Sequence, residues 1–148
     1  DIVFDDQAIY EIVNKKWLNK SIWFTKGDFT EGMYGGILNS DSENKILDIK
    51  IVEDYSDSYS KYKKLIGVMR VNETEVLNFK NKLANKSKES FKSYYLNAWF
   101  ENLNELPCYS ASLEGYKTFS FNTKNKFLVP IKNLSYEDEN LLELFLVP

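Results

Sequence analysis

Histidine is absent from the sequence, and cysteine and arginine occur once each, as Cys108 and Arg70. The lack of histidine excludes the usual zinc sites, every histidine-based triad and any histidine general base. One cysteine cannot form an internal disulfide, which fits a reducing compartment and leads us to expect a cytoplasmic protein. No apolar run approaches the roughly 18 residues of a membrane span, so no membrane partner is expected. A signal-peptide pattern is missing, as is any Lys/Arg cluster that would hold the chain on anionic lipid. Positive charge is also short: 19 basic residues stand against 22 acidic ones, for a net charge of −3. Such a balance, with a single arginine, excludes general affinity for nucleic-acid phosphates. What chemistry remains belongs to carboxylates, lysines, tyrosines, backbone groups or a hard, oxygen-bound cation such as Mg²⁺.

What is present is enough for one core. The 148 residues are 43% hydrophobic and 16% aromatic, more than a disordered chain carries. We expect a single domain, or a piece of a larger one, over residues 1–148. The start at Asp1, without methionine, is read as processed, trimmed or truncated.

Ile2-Val3-Phe4 reads as a short strand, with Asp5 and Asp6 as cap residues for an amphipathic helix over Gln7–Trp17. Ser21–Thr25 is β-branched and aromatic, a second strand. Gly36–Asn39 and Lys45–Val52 flank the polar turn Ser40–Asn44 and predict a hairpin. In its second arm Ile46, Asp48 and Lys50 face one side while Leu47, Ile49 and Ile51 face the other. Glu53–Lys64, rich in Tyr and Ser, reads as a loop. Leu65–Val71 is nearly continuous in apolar residues, the pattern of a strand buried on both faces.

Asn72 and Glu75 resemble a capping box opening a helix to Asn85, with Val76, Phe79, the stem of Lys80 and Leu83 inward. Phe91, Tyr94, Tyr95, Ala98 and Trp99 recur at helical spacing and predict a second helix over Lys88–Leu103. Cys108–Leu113 and Tyr116–Phe121 alternate around Glu114-Gly115 as a hairpin. A last helix is expected at Tyr136–Leu146. The interleaving of strands and helices gives an α/β class, a mixed sheet with flanking helices and β-hairpins.

Several of these segments, in this order, resemble the second half of the nucleotidyltransferase family, which includes sugar-phosphate nucleotidylyltransferases and phosphocholine-type cytidylyltransferases. Asp1-Ile2-Val3-Phe4-Asp5 resembles the stretch after the family's central Gly-Asp. Tyr34–Leu38 through Lys45–Ile49 is similar to its substrate-side hairpin. Leu65–Val71 resembles the strand whose glycine, here Gly67, approaches the acceptor. The helix holding Tyr94-Tyr95-Leu96-Asn97 is similar to the one before the last strands, and Phe119–Thr123 sits where the family reads Ile-Asp-Thr. The likeness covers residues 1–123 and leaves 124–148 as a C-terminal extension.

The resemblance implies transfer of a nucleotidyl group from a nucleoside triphosphate, CTP or UTP, to a sugar phosphate or alcohol phosphate as acceptor. It implies Mg²⁺ held by Asp1 and Asn122, the latter an amide where the family has an acid. An amide brings a carbonyl oxygen but no negative charge, so it binds the cation more weakly. It further implies Gly67, Glu53, Lys63 and Asn97 as substrate-binding residues. The Gly-rich half that cradles the nucleotide is missing from these residues, so the chain is read either as the acceptor side of a longer enzyme or as a protein that has lost the chemistry.

Residue by residue, plainer readings stand beside these. A glycine such as Gly67 inside an apolar strand marks either a ligand's close approach or a bulge packed on a helix. The stretch from Glu53 and Asp54 through Lys61, Lys63 and Lys64 is either an acceptor contact or a solvated loop. Its tyrosines also suit a protein surface. The whole chain admits an alternative of another class, a small acidic module that binds a basic protein partner, such as a bacterial toxin immunity protein. The apolar residues Leu141–Leu146 admit a homo-oligomer contact.

Overall fold

A computed structural model describes residues 2–90 and 95–120; Asp1, Phe91, Tyr94, Asn122 and the helix expected at Tyr136–Leu146 lie outside the described residues. The architecture is the expected α/β one, a five-stranded mixed sheet with flanking helices, accompanied by a two-stranded ribbon. Strand β1 (Ile2–Phe4) pairs antiparallel with β7 (Thr118–Ser120) in the ribbon, Ile2 opposite Ser120. The main sheet contains β2 (Ser21–Asp28), β3 (Gly35–Ser40), β4 (Ile46–Val52), β5 (Lys63–Arg70) and β6 (Cys108–Ser112), in the order β4-β3-β5-β2-β6.

Residues 21–25 of β2 are all buried, which marks a strand covered on both faces. Successive side chains of a strand point to opposite faces, and the core divides accordingly. Trp23 packs with Leu38, Ile46, Ile49, Leu65, Trp99 and Leu106 on one side. Ile22 and Phe24 pack with Ile66, Ala111 and Leu113 on the other, where Phe4, Ile12 and Trp17 cover them.

The β3–β4 hairpin forms as its turn residues dictate. Asp41 Oδ1 accepts from the amides of Glu43 and Lys45, each at 2.9 Å, and Asn44 takes a positive φ of 63°. The register shifts from Asn39↔Asp48 to Ser40↔Ile46, a bulge at Leu47. That extra residue corrects the expected facing of the arm: Ile46 turns into the core beside Ile49 instead of sharing the polar side.

Helix α1 (Asp6–Val13) is capped by Asp5, whose Oδ1 accepts from the Ala8 amide at 2.7 Å. The other oxygen of Asp5 accepts from Lys117 N at 2.9 Å and so ties the helix to the ribbon. The helix stops short of Trp17, which belongs to a separate 3-10 turn (Lys15–Trp17). The carbonyl of the α1 C-cap, Asn14, accepts from the Trp17 amide at 3.2 Å and from the Arg70 guanidinium at 2.8 Å, so the single arginine serves the fold.

Asn72 does act as a cap, but of a 3-10 turn (Glu73–Glu75) that leads into α2 (Val76–Glu89). Phe79 packs on the core, whereas Val76 is 49% exposed, against the expected inward face. Ser90 is extended and ends α2, so a single helix over 88–103 does not form; among the described residues α3 spans Tyr95–Phe100. The C-terminal hairpin is also corrected. β6 pairs in parallel with β2 (Ser21↔Cys108 to Thr25↔Ser112) and β7 pairs with β1, so the two strands are not each other's partners. Cys108 is buried as a small hydrophobe, and burial pushes its thiol up to about 12.

Candidate functional site

β5 was expected to be buried on both faces, yet only Leu65 and Ile66 are, and Gly67 is exposed. The reason lies in the pairing with β2. Trp23 faces Met69 and Thr25 faces Leu65, so the single residue between them on β2 opposes three on β5. Gly67 sits in that bulge at φ +77°, a conformation open to glycine and strained for other residues.

The bulge turns the Gly67 carbonyl outward, where the Tyr95 hydroxyl donates to it at 2.8 Å. Tyr95, at the start of α3, stacks on Trp23 with ring centroids 5.9 Å apart. A Cβ at Gly67 would lie 3.6 Å from Ile2 Cδ1 and 3.9 Å from the Tyr95 hydroxyl. The structure therefore gathers Gly67, Tyr95 and the first described residue of β1 at one place. Ile2 and Ser120 are partners there, and Asp1 and Asn122 stand one and two residues beyond that pair in sequence, outside the described residues.

Asn97 follows Tyr95 by two positions on α3 and is partly buried; two helical steps turn a side chain by about 200°, so it does not share the Tyr95 face. Glu53 is exposed just after β4. Lys63 opens β5, four residues before Gly67 and about 13 Å from it at strand rise, and its ammonium is ion-paired with Asp28. These three are not brought into contact with Gly67.

Lys64 is the lysine that sequence reasoning did not separate from its neighbours. Its ammonium donates to Gly36 O at 3.1 Å and has no carboxylate among its described partners. Burial lowers its pKa, the charge being partly removed from water. A Cβ on Gly35 would come within 3.3 Å of this nitrogen, so the bare glycine leaves the ammonium uncrowded on that side. An ammonium has three donors, and the carbonyl uses one. A pair of adjacent glycines at 35 and 36 was the available signal.

Beside it lies a triad on the outer face of the hairpin. Tyr62 donates to Asp48 Oδ2 at 2.5 Å, and Lys50 Nζ lies 2.9 Å from the same oxygen and 3.2 Å from the Tyr62 hydroxyl. Partial burial works to raise the Asp48 pKa, but the hydrogen bonds from Tyr62 and Lys50 and the charge of Lys50 outweigh it, and the carboxyl ends below its ordinary 3.8. A depressed folded-state value means that the stabilisation is complete above the unfolded pKa and is lost as pH falls through the folded one. We expect the wild-type urea midpoint to fall more steeply than that of Asp48→Asn between pH ~5 and ~2. Parallel curves for the two proteins would show that the triad does not contribute.

Among the described residues, no group of three or more His, Cys, Asp or Glu is placed to hold a metal ion. Among the described residues Asp5, the carboxylate that follows β1 in sequence, accepts from an amide with each of its oxygens. A hollow of about 260 Å³ between α2 and α3 is lined by Lys82, Lys86, Glu89 and Glu101 among others, with Lys86 paired to both glutamates, and no candidate residue borders it. No helix among the described residues is long and apolar enough to cross a membrane.

No protein-family model matches the sequence, and no curated protein matches it either. Comparison with solved structures finds similarity to the CTP:phosphocholine cytidylyltransferase of Streptococcus pneumoniae, with a TM-score of 0.65 at 17% sequence identity. The match covers 91% of this chain and 55% of that one, so the chain spans about half the length of the enzyme it resembles. At this identity the likeness establishes a shared, nucleotidyltransferase-like fold.

Proposed function

We propose that this chain forms the acceptor side of a nucleotidyltransferase, in which a nucleotidyl group passes from CTP or UTP to a sugar phosphate or alcohol phosphate. The observation that carries the reading is the shared fold with a cytidylyltransferase over 91% of the chain. Its support within the chain is the meeting of the Gly67 bulge with the β1–β7 ladder, whose ends adjoin Asp1 and Asn122 in sequence.

In this reading the exposed backbone at Gly67 lets the acceptor lie against β5, with the Tyr95 hydroxyl holding the bulge in shape. Lys64, three residues earlier and about 10 Å along the strand, supplies the point charge for the acceptor's phosphate. It is chosen over Lys63, whose charge Asp28 already neutralises. Asp1 and Asn122 present hard oxygens suited to Mg²⁺, which when bound neutralises the triphosphate. Glu53 and Asn97 remain candidates for hydroxyl contacts with the acceptor. The alternative of an acidic immunity-type module is not favoured, because the fold is one shared with an enzyme.

The test is pyrophosphate release by the full-length protein with CTP or UTP, Mg²⁺ and a panel of phosphorylated alcohols and sugars. Release that requires one acceptor supports the proposal, and none with any acceptor overturns it. In the active combination Lys64→Met is expected to raise the acceptor KM about tenfold or more with little change in the KM for the nucleotide, as loss of one charge-assisted contact requires. An unchanged acceptor KM would remove Lys64 from the site while leaving the reaction standing.

A further inference from the structure

Lys64 shares its face of the sheet with a second lysine. Ile37 of β3 lies opposite Lys64 of β5 on one side and opposite Lys50 of β4 on the other. Residues directly opposed in an antiparallel ladder project to the same face, so the two lysines flank one fully buried isoleucine. Two strand spacings put their Cα atoms about 10 Å apart, within the joint reach of two lysine side chains.

Each ammonium is drawn away from the other by an oxygen of the protein. Lys64 leans over Gly35, which lies opposite Val52, and donates to Gly36 O. Lys50 leans the other way, to Asp48, which lies opposite Asn39. This second hold is loose: the side chains of Asp48 and Lys50 are 37% and 47% exposed, and an ion pair so open to water is weak. Nor does the loss of Lys50 orphan the carboxylate. The Tyr62 hydroxyl donates to its Oδ2 at 2.5 Å, and the Ile49 amide donates to it as well.

We infer, on the reading of Lys64 as the acceptor's phosphate contact, that Lys50 completes that contact: the two ammoniums form one site for a phosphate monoester, and Asp48 holds Lys50 while the site is empty. Near pH 7 such an ester carries a charge of about −1.5 to −2, which two cations match and one does not. On binding, Lys50 exchanges the carboxylate for a phosphate oxygen, and the anion offsets the repulsion between the two ammoniums. Asp48 is then a competitor built into the fold, because its carboxylate and the ligand claim the same ammonium. Its removal strengthens binding.

The test needs no turnover. The lysine ¹³Cε resonances of the full chain are followed by nuclear magnetic resonance during titration with glycerol phosphate, and with glycerol as the control. Lys50 and Lys64 are expected to shift together along one binding curve with the ester and to stay still with glycerol. Lys50→Met is expected to weaken binding about tenfold, as loss of one charge-assisted contact requires, and Lys50→Arg to keep most of it. The arginine variant guards against a loss that comes from misfolding. Asp48→Asn, which leaves an oxygen for the Tyr62 hydroxyl, is expected to tighten binding about threefold or more. Glu43→Gln makes the same change of charge on the exposed hairpin turn and is expected to leave binding as it was.

A Lys50 that stays unmoved, an Asp48→Asn no tighter than the wild type, or a gain equalled by Glu43→Gln overturns the inference. So does a shift of both lysines with CTP and Mg²⁺ but not with glycerol phosphate, which would assign the pair to the nucleotide. Joint shifts without pyrophosphate release from any acceptor would overturn the transfer reaction and leave this site standing. Release with an unmoved Lys50 would do the reverse.

Discussion

Trp99→Ala is expected to remove about 3–5 kcal/mol of stability, the range for deleting a large buried aromatic and leaving a cavity. Trp99 is fully buried on α3 and meets Trp23 edge-on at 6.0 Å between centroids and Phe79 at 4.5 Å. It therefore joins α2, α3 and the central strand β2, and no neighbour can fill its volume without leaving its own contacts. A domain of this size has only about 5–15 kcal/mol in hand, so the variant should be partly unfolded at moderate urea. Equilibrium urea unfolding followed by far-ultraviolet circular dichroism measures it. A loss under ~1 kcal/mol would mean that α3 does not pack on the sheet as described.

Gly67→Val has the second large effect, and it joins stability to the site. A β-branched residue at φ +77° is strained by about 2–3 kcal/mol, and its methyl groups extend toward Ile2 and the Tyr95 hydroxyl. Gly67→Ala separates the two contributions. Its Cβ would sit at ordinary contact distances of 3.6 and 3.9 Å, so alanine carries the backbone strain, ~1 kcal/mol or somewhat more, without the crowding. The acceptor KM is expected to rise more for valine than for alanine. Equal stability losses for the two would show that crowding against β1 is unimportant. A valine variant as stable as the wild type would contradict the positive φ itself.

The sequence made some parts of the molecule legible and hid others, for physical reasons. The β3–β4 hairpin was readable because Asp41 closes its turn within four residues, and local hydrogen bonds are written locally. The Asp5 and Asn72 caps were readable for the same reason. Partner choice was not. Alternation in 108–113 and 116–121 identifies strands, but nothing local says that β6 joins β2 and β7 joins β1. The aromatic spacing around Tyr95 and Trp99 fits one long helix, and nothing in that spacing marks the extended backbone of Ser90 that ends α2.

The candidate site divides in the same way. Gly67 stood out because glycine in an apolar strand needs a reason, and the bulge supplies it. Lys63 and Lys64 are identical in sequence terms. Only the fold shows that one meets Asp28 and the other turns to the glycine backbone at Gly36. Tyr95 shows in the sequence only as part of a helical aromatic stripe, whereas in the fold its hydroxyl reaches the Gly67 carbonyl and the residue stays 41% exposed.

The wall around Gly67 is tested most directly by nuclear magnetic resonance of the ¹⁵N-labelled full chain titrated with Mn²⁺ in place of Mg²⁺, with a phosphate monoester added. We predict that the amides of Ile2, Ser120 and Gly67 broaden first with the metal, and that Lys64 and Gly36 shift with the phosphate. Broadening confined to the exposed acidic turns at Asp41–Glu43 or Glu73–Glu75, with Lys64 and Gly36 unmoved by phosphate, would contradict it.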